Sequence, residues 1–464
     1  MEHNITVEGN KVFTYLIVLI ASIGGFMFGF DLVIIAGALP FLEIDFGLTP
    51  AMKGFAVSSA ILGSVSGPLI GMWFTESLGR RKTMMLAALF FMVSTIGSAF
   101  AVGIWDFAVW RFFGGVGIGL AMISSPIYIA ELSPPHLRGV LVNVNQLSNV
   151  IGINLAVVAG YFFSFEGWGW RWMFGSQAIP VALLIVGLVF VPESPRWLAA
   201  RSRLAEALAV LTKISGRKRG EQELEEIRSE LAHSTDDKGT MADLFRSAGI
   251  KRALFVGIVM MVFSQINGVN MILLYAPTIM TEVGVSFGSS AILSSIPVYL
   301  LILLTTILAF PLIKRFSRRG LLMSGVACMV LGHLTMAVNL FLGWPPLFSL
   351  IPMLISAGAF TVGLAPLSWI IVSEIFPNRV RGNALAVVCF FLYLASFLTA
   401  QFFPVLTDWF TKHYDTAAGV YLMFAAVCSL GFWFCWKFVP ETKGLSLEKI
   451  SEFWEEQSRS QLVK

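Results

Sequence analysis

Long apolar runs separated by short polar segments are the main pattern of this sequence. Twelve of these runs approach or exceed the roughly 20 residues that an α-helix needs to cross a lipid bilayer. Their approximate bounds are residues 12–41, 55–74, 84–104, 107–130, 140–165, 173–191, 254–280, 291–312, 321–342, 347–375, 384–406 and 420–439. The pattern predicts an all-α membrane protein with twelve transmembrane helices.

One long hydrophilic segment, residues 192–252, follows the sixth apolar run. Within it, residues 202–211 and 221–232 have helical spacing, and acidic and basic side chains alternate there, as is typical of solvent-exposed helices. We interpret this segment as a cytoplasmic helical linker; a regulatory docking surface is the alternative. The predicted organisation is a six-helix bundle at 1–191, the linker at 192–252, a second six-helix bundle at 253–439 and a cytoplasmic tail at 440–464.

Three short motifs occur twice, in the same order, once in each half of the chain. The string E-x-x-P-x-x-x-R-G starts at Glu131 and again at Glu374. The other two pairs are Arg80-Arg81 with Arg318-Arg319, and Pro192-Glu193-Ser194 with Pro440-Glu441-Thr442. This repetition indicates two related halves, an organisation found in secondary transporters whose halves move around a central site.

Composition agrees with a membrane protein and argues against an enzyme. The chain is 56% hydrophobic and only 13% charged, whereas a soluble domain carries about 25% charged residues. The five histidines and four cysteines show no metal-ligand spacing, and the sequence has no nucleotide-binding loop and no nucleophile–base arrangement. We therefore predict neither an enzyme nor a site for a metal or cofactor.

The basic residues predict the orientation in the membrane. The loops after the second, fourth, eighth and tenth helices hold Arg80, Arg81, Lys82, Arg138, Lys314, Arg315, Arg318, Arg319, Arg379 and Arg381, whereas the opposite loops hold Lys53, Arg171 and Lys412. Because basic loops remain in the cytoplasm, both termini are predicted to be cytoplasmic, in the plasma (inner) membrane. The net charge of +4 then reflects topology and implies no nucleic-acid partner.

Six motifs together resemble the sugar porter family of the major facilitator superfamily. They are G-R-R-K at 79–82, P-I-Y-I-A-E at 126–131, P-E-S-P-R at 192–196, Q-I-N-G-V-N at 265–270, S-E-I-F-P at 373–377 and P-E-T-K-G at 440–444. The resemblance covers essentially the whole chain. It implies two pseudo-symmetric six-helix bundles with cytoplasmic linker helices, and sugar transport by alternating access in a monomer.

The repeated motifs place charged residues at the cytoplasmic ends of the helices. We expect Glu131, Arg138, Arg81 and Glu193 to form one charge network, and Glu374, Arg381, Arg318 and Glu441 to form its counterpart. The resemblance implies that such networks latch the inner ends of the halves when the site faces outward. The alternative is static helix capping, because exposed ion pairs contribute only about 0–1 kcal/mol. The family string D-R-x-G-R-R is changed to K-R-F-S-R-R at 314–319, so the second latch is expected to differ.

Two charged residues, Asp31 and Arg111, fall inside predicted membrane helices. A lone charge at the bilayer centre costs at least about 2.5 kcal/mol, so we expect the two to face each other. Such an Asp can take up a proton when the pairing opens. The resemblance supports this proton-coupling role, since symporters of the family carry Asp at this position. Gln177 argues the other way, because some symporters have Glu there; a purely structural pair is the alternative.

The resemblance also implies a set of sugar contacts. They are Phe28, Gln146, Gln265, Asn270, Tyr275, Trp369 and Tyr393. Three departures from the family pattern, at Ser264, Leu274 and Ser396, predict a roomier and less polar pocket on the second-half side. A pentose, a polyol or a modified sugar therefore becomes a plausible substrate beside a common hexose.

The main interpretation is a secondary active transporter that takes up a sugar together with a proton. A facilitative sugar uniporter is the first alternative, and Asp31 with Arg111 distinguishes the two. A membrane nutrient sensor on the same fold is less favoured, because it needs a long cytoplasmic extension. The predicted partners are a small-molecule sugar, a proton and the lipid bilayer.

Overall fold

The computed structural model describes residues 10–134, 137–165, 167–234, 240–286 and 289–443, without the side chains of residues 233, 234 and 378. Twelve helices in this part of the chain are long and apolar enough to cross a membrane, which confirms the predicted fold class. They are α1 (Lys11–Phe46), α2 (Pro50–Ser77), α3 (Arg80–Ala99), α4 (Ile104–Leu132), α5 (Arg138–Phe162), α6 (Trp170–Phe190), and, after three linker helices, α10 (Ala248–Glu282), α11 (Ser289–Arg315), α12 (Arg318–Leu342), α13 (Pro346–Glu374), α14 (Asn378–Tyr414) and α15 (Ala418–Phe438).

The linker contributes helices α7 (Pro195–Ala200), α8 (Leu204–Ser215) and α9 (Arg217–Ser234), and then a short 3₁₀ helix at Met241–Phe245. The start of the linker is fixed to the first half: the indole of Trp197 donates to the carbonyl of Glu76 over 2.8 Å, and Arg201 donates to the same oxygen over 3.2 Å. The tail beyond residue 443 lies outside the described residues.

The 3₁₀ helix at the end of the linker is fixed to the second half. Asp243 accepts hydrogen bonds from the backbone and the hydroxyl of Thr240 and forms an ion pair with Arg379 at the start of α14, over 3.3 Å. The Thr240 hydrogen bonds, reinforced by the positive charges of Arg379 and Arg246, hold the pKa of Asp243 below its usual value. The linker therefore joins the halves by attachments at both of its ends.

Close helix packing in the first half depends on small residues. A Cβ at Gly29 of α1 would lie 2.0 Å from the carbonyl oxygen of Asn149 in α5, and a Cβ at Gly115 of α4 would lie 1.9 Å from that of Ala60 in α2. Such contacts between backbones are the usual means by which membrane helices pack, because lipid offers no hydrophobic driving force. This packing fixes α1, α4 and α5 around the site described below.

Three helices depart from regular α geometry near the centre of the molecule. The seventh membrane helix, α10, breaks at Gly268, where φ is +89°. Both α2 and α13 contain a π turn, at Gly67–Gly71 and Phe360–Leu364. Turns of this kind occur frequently at functional sites because they redirect side chains within a helix.

Candidate transport site

A cavity of about 350 Å³ lies between the two halves, within the size range of small-molecule sites. Its walls are formed by Gly25, Phe28, Pro68, Met72, Gly119, Met122, Ile123, Pro126, Asn145, Gln146 and Asn149 from the first half, and by Trp369, Gly382, Leu385, Ala386, Cys389 and Tyr393 from the second. Gly382 lies in the first turns of α14, next to the arginine-bearing loops. We call that side of the molecule the basic face. The cavity thus extends from the interior towards the basic face.

On the opposite face, the halves are in contact through α2 and α14. Gln401 accepts a hydrogen bond from the hydroxyl of Ser58 and donates one to the carbonyl of Ala51, each over 2.9 Å. A Cβ at Gly54 would lie 2.1 Å from the carbonyl oxygen of Gln401. The two helices therefore pack backbone to backbone, and the structure is open on the basic face and closed at this contact.

Four of the seven predicted sugar contacts line the cavity: Phe28, Gln146, Trp369 and Tyr393. The amide of Gln146 is on α5, and the indole of Trp369, which is 40% exposed, is on α13 across from it. Amide groups hydrogen-bond hydroxyls, and an aromatic face packs against C–H surface. The cavity therefore combines both kinds of group that a sugar requires.

The other three predicted contacts lie outside the cavity lining. Because α10 breaks at Gly268, the side chains of Gln265 and Asn270 turn towards each other, and Asn270 donates to Gln265 over 2.7 Å. Tyr275 is buried, with its hydroxyl donating to the carbonyl of Ala400 over 2.8 Å. In this conformation Asn270 donates to Gln265, Gln265 donates to the hydroxyl of Ser264, and Tyr275 donates to the backbone; none of the three lines the cavity.

Sequence reasoning missed two asparagines of the lining, Asn145 and Asn149. They are four residues apart on α5, and Gln146 follows the first of them, so the three amides share one helix face. Asn145 accepts a hydrogen bond from Ser125 of α4 over 2.9 Å. This i, i+4 pattern of amides in an apolar helix is the signal by which they could have been found.

Asp31 and Arg111 form a buried pair beside the cavity. Arg111 donates to the Asp31 carboxylate over 2.6 Å and to the Asp31 carbonyl over 2.9 Å, and each side chain is 1% exposed. The ring of Phe174 lies 5.4 Å from the guanidinium carbon, which adds a cation–π contact. Within the described part of the chain, Asp31 Oδ2 has no hydrogen-bond partner.

Gln177, at the position where some symporters carry Glu, is buried and accepts a hydrogen bond from the hydroxyl of Thr95 over 3.2 Å. Phe28 precedes Asp31 by three residues on α1, and side chains at that spacing are neighbours on a helix surface. The cavity lining and the buried charge pair are therefore adjacent on one helix.

In the first-half charge network, the arginine that binds Glu131 is Arg80 and not the predicted Arg81. Glu131 is bound by the guanidinium of Arg80 over 2.9 Å and by the hydroxyl of Ser194. The backbone amide of Arg81, by contrast, donates to Glu193 over 3.0 Å. This follows from the left-handed turn at Gly79 (φ +98°), which places the Glu193 carboxylate over the first amides of α3, where the helix dipole favours a negative charge.

Arg138 is not part of this network. Its side chain is exposed, and no residue in the described ranges gives it a hydrogen bond or an ion pair. The predicted contact between Glu131 and Arg138 is therefore absent from this conformation. Arg138 is therefore an exposed cation at the start of α5, on the basic face.

The second-half network is the structural counterpart of the first. Arg318 pairs with Glu374, as predicted, and Glu441 accepts from the backbone amides of Arg318 and Arg319, each over 3.1 Å. Burial opposes the charge on Glu441, but these hydrogen bonds and one from the Lys443 backbone hold its pKa below the usual value. Arg381 instead donates to the carbonyl of Phe376 over 3.1 Å and does not reach Glu374.

The replacement of the family string D-R-x-G-R-R by K-R-F-S-R-R at 314–319 does not disrupt this network. Ser317, at the position of Gly79, has φ −67° and caps α12 by accepting from the amide of Gly320 over 3.1 Å. The ammonium of Lys443 donates to the carbonyl of Lys314 over 2.9 Å at the end of α11. In this chain, Ser317 thus caps α12 and Lys443 binds the last carbonyls of α11.

Twelve membrane helices in two related halves, with a cavity between them and a buried carboxylate beside it, define a secondary transporter. Residues 17–454 match the family model described as sugar (and other) transporter, so the chain belongs to that family.

Similar proteins of known name support this assignment along the whole chain. The D-xylose-proton symporter of Escherichia coli (strain K12) is 33% identical, with 97% of each chain covered. The arabinose-proton symporter of Bacillus subtilis (strain 168) is 34% identical, with 95% of each chain covered. A solved structure of the E. coli xylose transporter in an inward-open conformation is 31% identical, covers 95% of this chain and 100% of that chain, and superimposes with a TM-score of 0.84.

Proposed function

We propose that this protein takes up a pentose or a related polyhydroxylated sugar together with a proton, by alternating access. The observation that carries the proposal is the Asp31–Arg111 pair, held over 2.6 Å in a fully buried position next to a sugar-sized cavity. Two of the similar proteins are named as proton symporters of pentoses. A facilitative uniporter is the second candidate, favoured by Gln177, which cannot act as a second proton acceptor.

The proposed orientation places the basic face in the cytoplasm of a plasma membrane, with both termini on that side. Residues 1–191 and 253–439 are then the two moving bundles, and a monomer suffices. In this orientation the present conformation faces inward, and the contact between α2 and α14 closes the external side.

The proton step follows from the electrostatics of the pair. While Arg111 contacts Asp31, the positive charge favours the ionised carboxylate. When a movement of α1 or α4 separates them, a carboxylate in an apolar environment is stabilised by taking up a proton. Sugar binding at Phe28 on α1 provides such a movement, which couples substrate occupancy to protonation.

The test of the proposal uses the cavity cysteine, Cys389, as a reporter of ligand binding. Cys328 is the other cysteine that is not buried in the described structure. Labelling is therefore measured in the wild type and in a Cys328→Ser variant, and the labelling that remains in the variant is assigned to Cys389. Xylose, arabinose, glucose and myo-inositol are screened for protection of Cys389 against a thiol reagent, and then for proton uptake into proteoliposomes. Protection by a sugar with no proton uptake would favour the uniporter; no protection by any of the four would contradict a sugar site.

Replacing Gln146 with leucine is expected to weaken sugar binding about 10- to 100-fold. Two hydrogen bonds are lost, and leaving the sugar hydroxyls unpaired costs about 1–3 kcal/mol. The measurement is the sugar concentration that half-protects Cys389. The matched control is Asn154→Leu, an amide of the same helix whose side chain donates to the Val150 carbonyl and lies outside the cavity. Equal affinity in the two variants would contradict the role of Gln146.

Arg138 is proposed to gain a partner when the inner ends close. Replacing it with alanine should then destabilise only the outward-facing state, since Arg138 has no described partner in the present one. We expect Cys389 to be labelled from the cytoplasmic side about two- to fivefold faster, in line with the 0.2–1 kcal/mol of an exposed ion pair. Lys218→Ala, an exposed linker residue, is the control; unchanged labelling in Arg138→Ala would show that the residue plays no part in closure.

A further inference from the structure

A side-chain hydrogen bond joins the two halves inside the cavity described above. The hydroxyl of Tyr393, on α14, donates a hydrogen bond to the thioether sulfur of Met122, on α4, over 2.8 Å. Both residues line the cavity, and Tyr393 is 8% exposed. Eleven residues of helix separate Tyr393 from Gly382 at the basic end, roughly 16 Å at 1.5 Å per residue. The contact therefore lies about halfway across the membrane.

The sulfur of Met122 is a weak acceptor for this hydroxyl. A thioether accepts hydrogen bonds poorly, whereas a sugar hydroxyl both accepts and donates. In a cavity of low dielectric, an incompletely satisfied hydroxyl retains much of its capacity to bind a better acceptor. Exchange of sulfur for a sugar oxygen is therefore favourable for Tyr393.

Tyr393 lies where its hydroxyl can hydrogen-bond a sugar held by the opposite wall of the cavity. The second-half wall around it is formed by Leu385, Ala386 and Cys389, whereas the first-half wall carries the amides of Asn145 and Gln146. A sugar bound to those amides directs its far edge at the wall that carries Tyr393. The phenol then supplies a hydrogen bond on a wall that is otherwise mainly apolar.

We propose that Tyr393 and Met122 form a contact that the substrate displaces, in which one sugar hydroxyl takes the Tyr393 hydrogen bond from the Met122 sulfur. The pair thereby sets the affinity for the sugar and the selection for that one hydroxyl, and it reports occupancy to both halves at once. This proposal rests on the proposed function of the cavity as a sugar site.

The first part of the test pairs a protein variant with altered ligands. Tyr393→Phe keeps the ring and removes the hydroxyl, so the dissociation constant for the parent sugar should rise about three- to tenfold, as for the loss of one hydrogen bond. Monodeoxy analogues of the same sugar are then titrated by calorimetry against the full-length wild type and the variant. For one analogue the two proteins should bind equally, because that analogue lacks the sugar hydroxyl to which Tyr393 would donate, so the hydrogen bond is missing in both.

The second part changes only the acceptor. Met122→Leu preserves side-chain volume and packing but leaves the Tyr393 hydroxyl without its sulfur partner in the empty cavity. Sugar affinity should then rise about two- to fivefold, an increase that a purely structural role would not produce. Met84→Leu is the matched control, since Met84 is a buried methionine of α3 outside the cavity lining, and its affinity should equal that of the wild type.

Two results would overturn the proposal. Unchanged sugar affinity in both Tyr393→Phe and Met122→Leu, with the wild type binding sugar, would show that the contact is packing alone and leave the proposed function standing. Absence of sugar binding by the wild-type protein would overturn the proposed function and this inference together. An affinity gain in Met122→Leu supports the exchange even if Tyr393→Phe fails to fold.

Discussion

Replacing Asp31 with asparagine is expected to abolish uphill sugar accumulation while exchange of sugar across the membrane continues. One proton per sugar supplies about 2.3 kcal/mol at 100 mV, and at about 1.4 kcal/mol per decade this sustains roughly 40-fold accumulation. Asparagine cannot take up the proton, so the ratio of internal to external sugar concentration should fall to one. Accumulation and counterflow of labelled sugar in proteoliposomes give the two readouts.

The pH dependence of the same variant is a second readout. In the wild type, uptake should decrease as external pH rises, because the proton gradient that drives uptake becomes smaller, and in Asp31→Asn it should be flat. The substitution leaves Arg111 as an uncompensated buried charge, which destabilises proteins by about 3–5 kcal/mol. The double variant Asp31→Asn/Arg111→Gln removes both charges and serves as the control for folding. Retained accumulation in Asp31→Asn would show that the pair is structural.

Introducing tryptophan at Gly54 is expected to stop net transport by preventing closure of the external side. A Cβ at this position already lies 2.1 Å from the Gln401 carbonyl oxygen, so an indole cannot fit while α2 and α14 touch. Overpacking costs about 3 kcal/mol or more when backbone is displaced, which corresponds to about a 100-fold loss of the inward-facing state. Initial uptake rates and labelling of Cys389 from the cytoplasmic side should fall together.

The matched control is Gly175→Trp, in α6. A Cβ there meets no other atom within 4 Å, so the same large side chain is accommodated. The control should transport at close to the wild-type rate. If Gly54→Trp also transports normally, the contact between α2 and α14 is not required for the transport cycle.

The contact between Asp31 and Arg111 was accessible from sequence because burial of a lone charge is so unfavourable that few arrangements remain. The twelve helices and the repeated motifs were accessible for a similar reason, since a bilayer restricts length and composition. Each of these inferences depends on the large free-energy cost of placing charged or polar groups in the bilayer, and none requires detailed geometry.

The details that the sequence did not determine depend on small differences in geometry. In this conformation the break at Gly268 lets Gln265 and Asn270 bind each other, and the sequence alone does not show which way the two amides turn. The choice of Arg80 rather than Arg81 as the partner of Glu131 depends on which of two adjacent side chains the turn at Gly79 directs inward. The sequence pattern contains no feature that shows which of these alternative side-chain arrangements forms.

The chemistry of the contacts differs between the two sides of the membrane. The hydrogen bonds that Gln401 makes across the external side are between neutral groups, whereas the networks at the basic face are made of full charges such as Arg80 with Glu131. Salt screens charges at exposed sites but hardly affects neutral hydrogen bonds. Each charged network lies within one half and is formed in this conformation, so a rise in salt acts on attachments inside the halves and leaves the hydrogen bonds between α2 and α14 nearly unchanged.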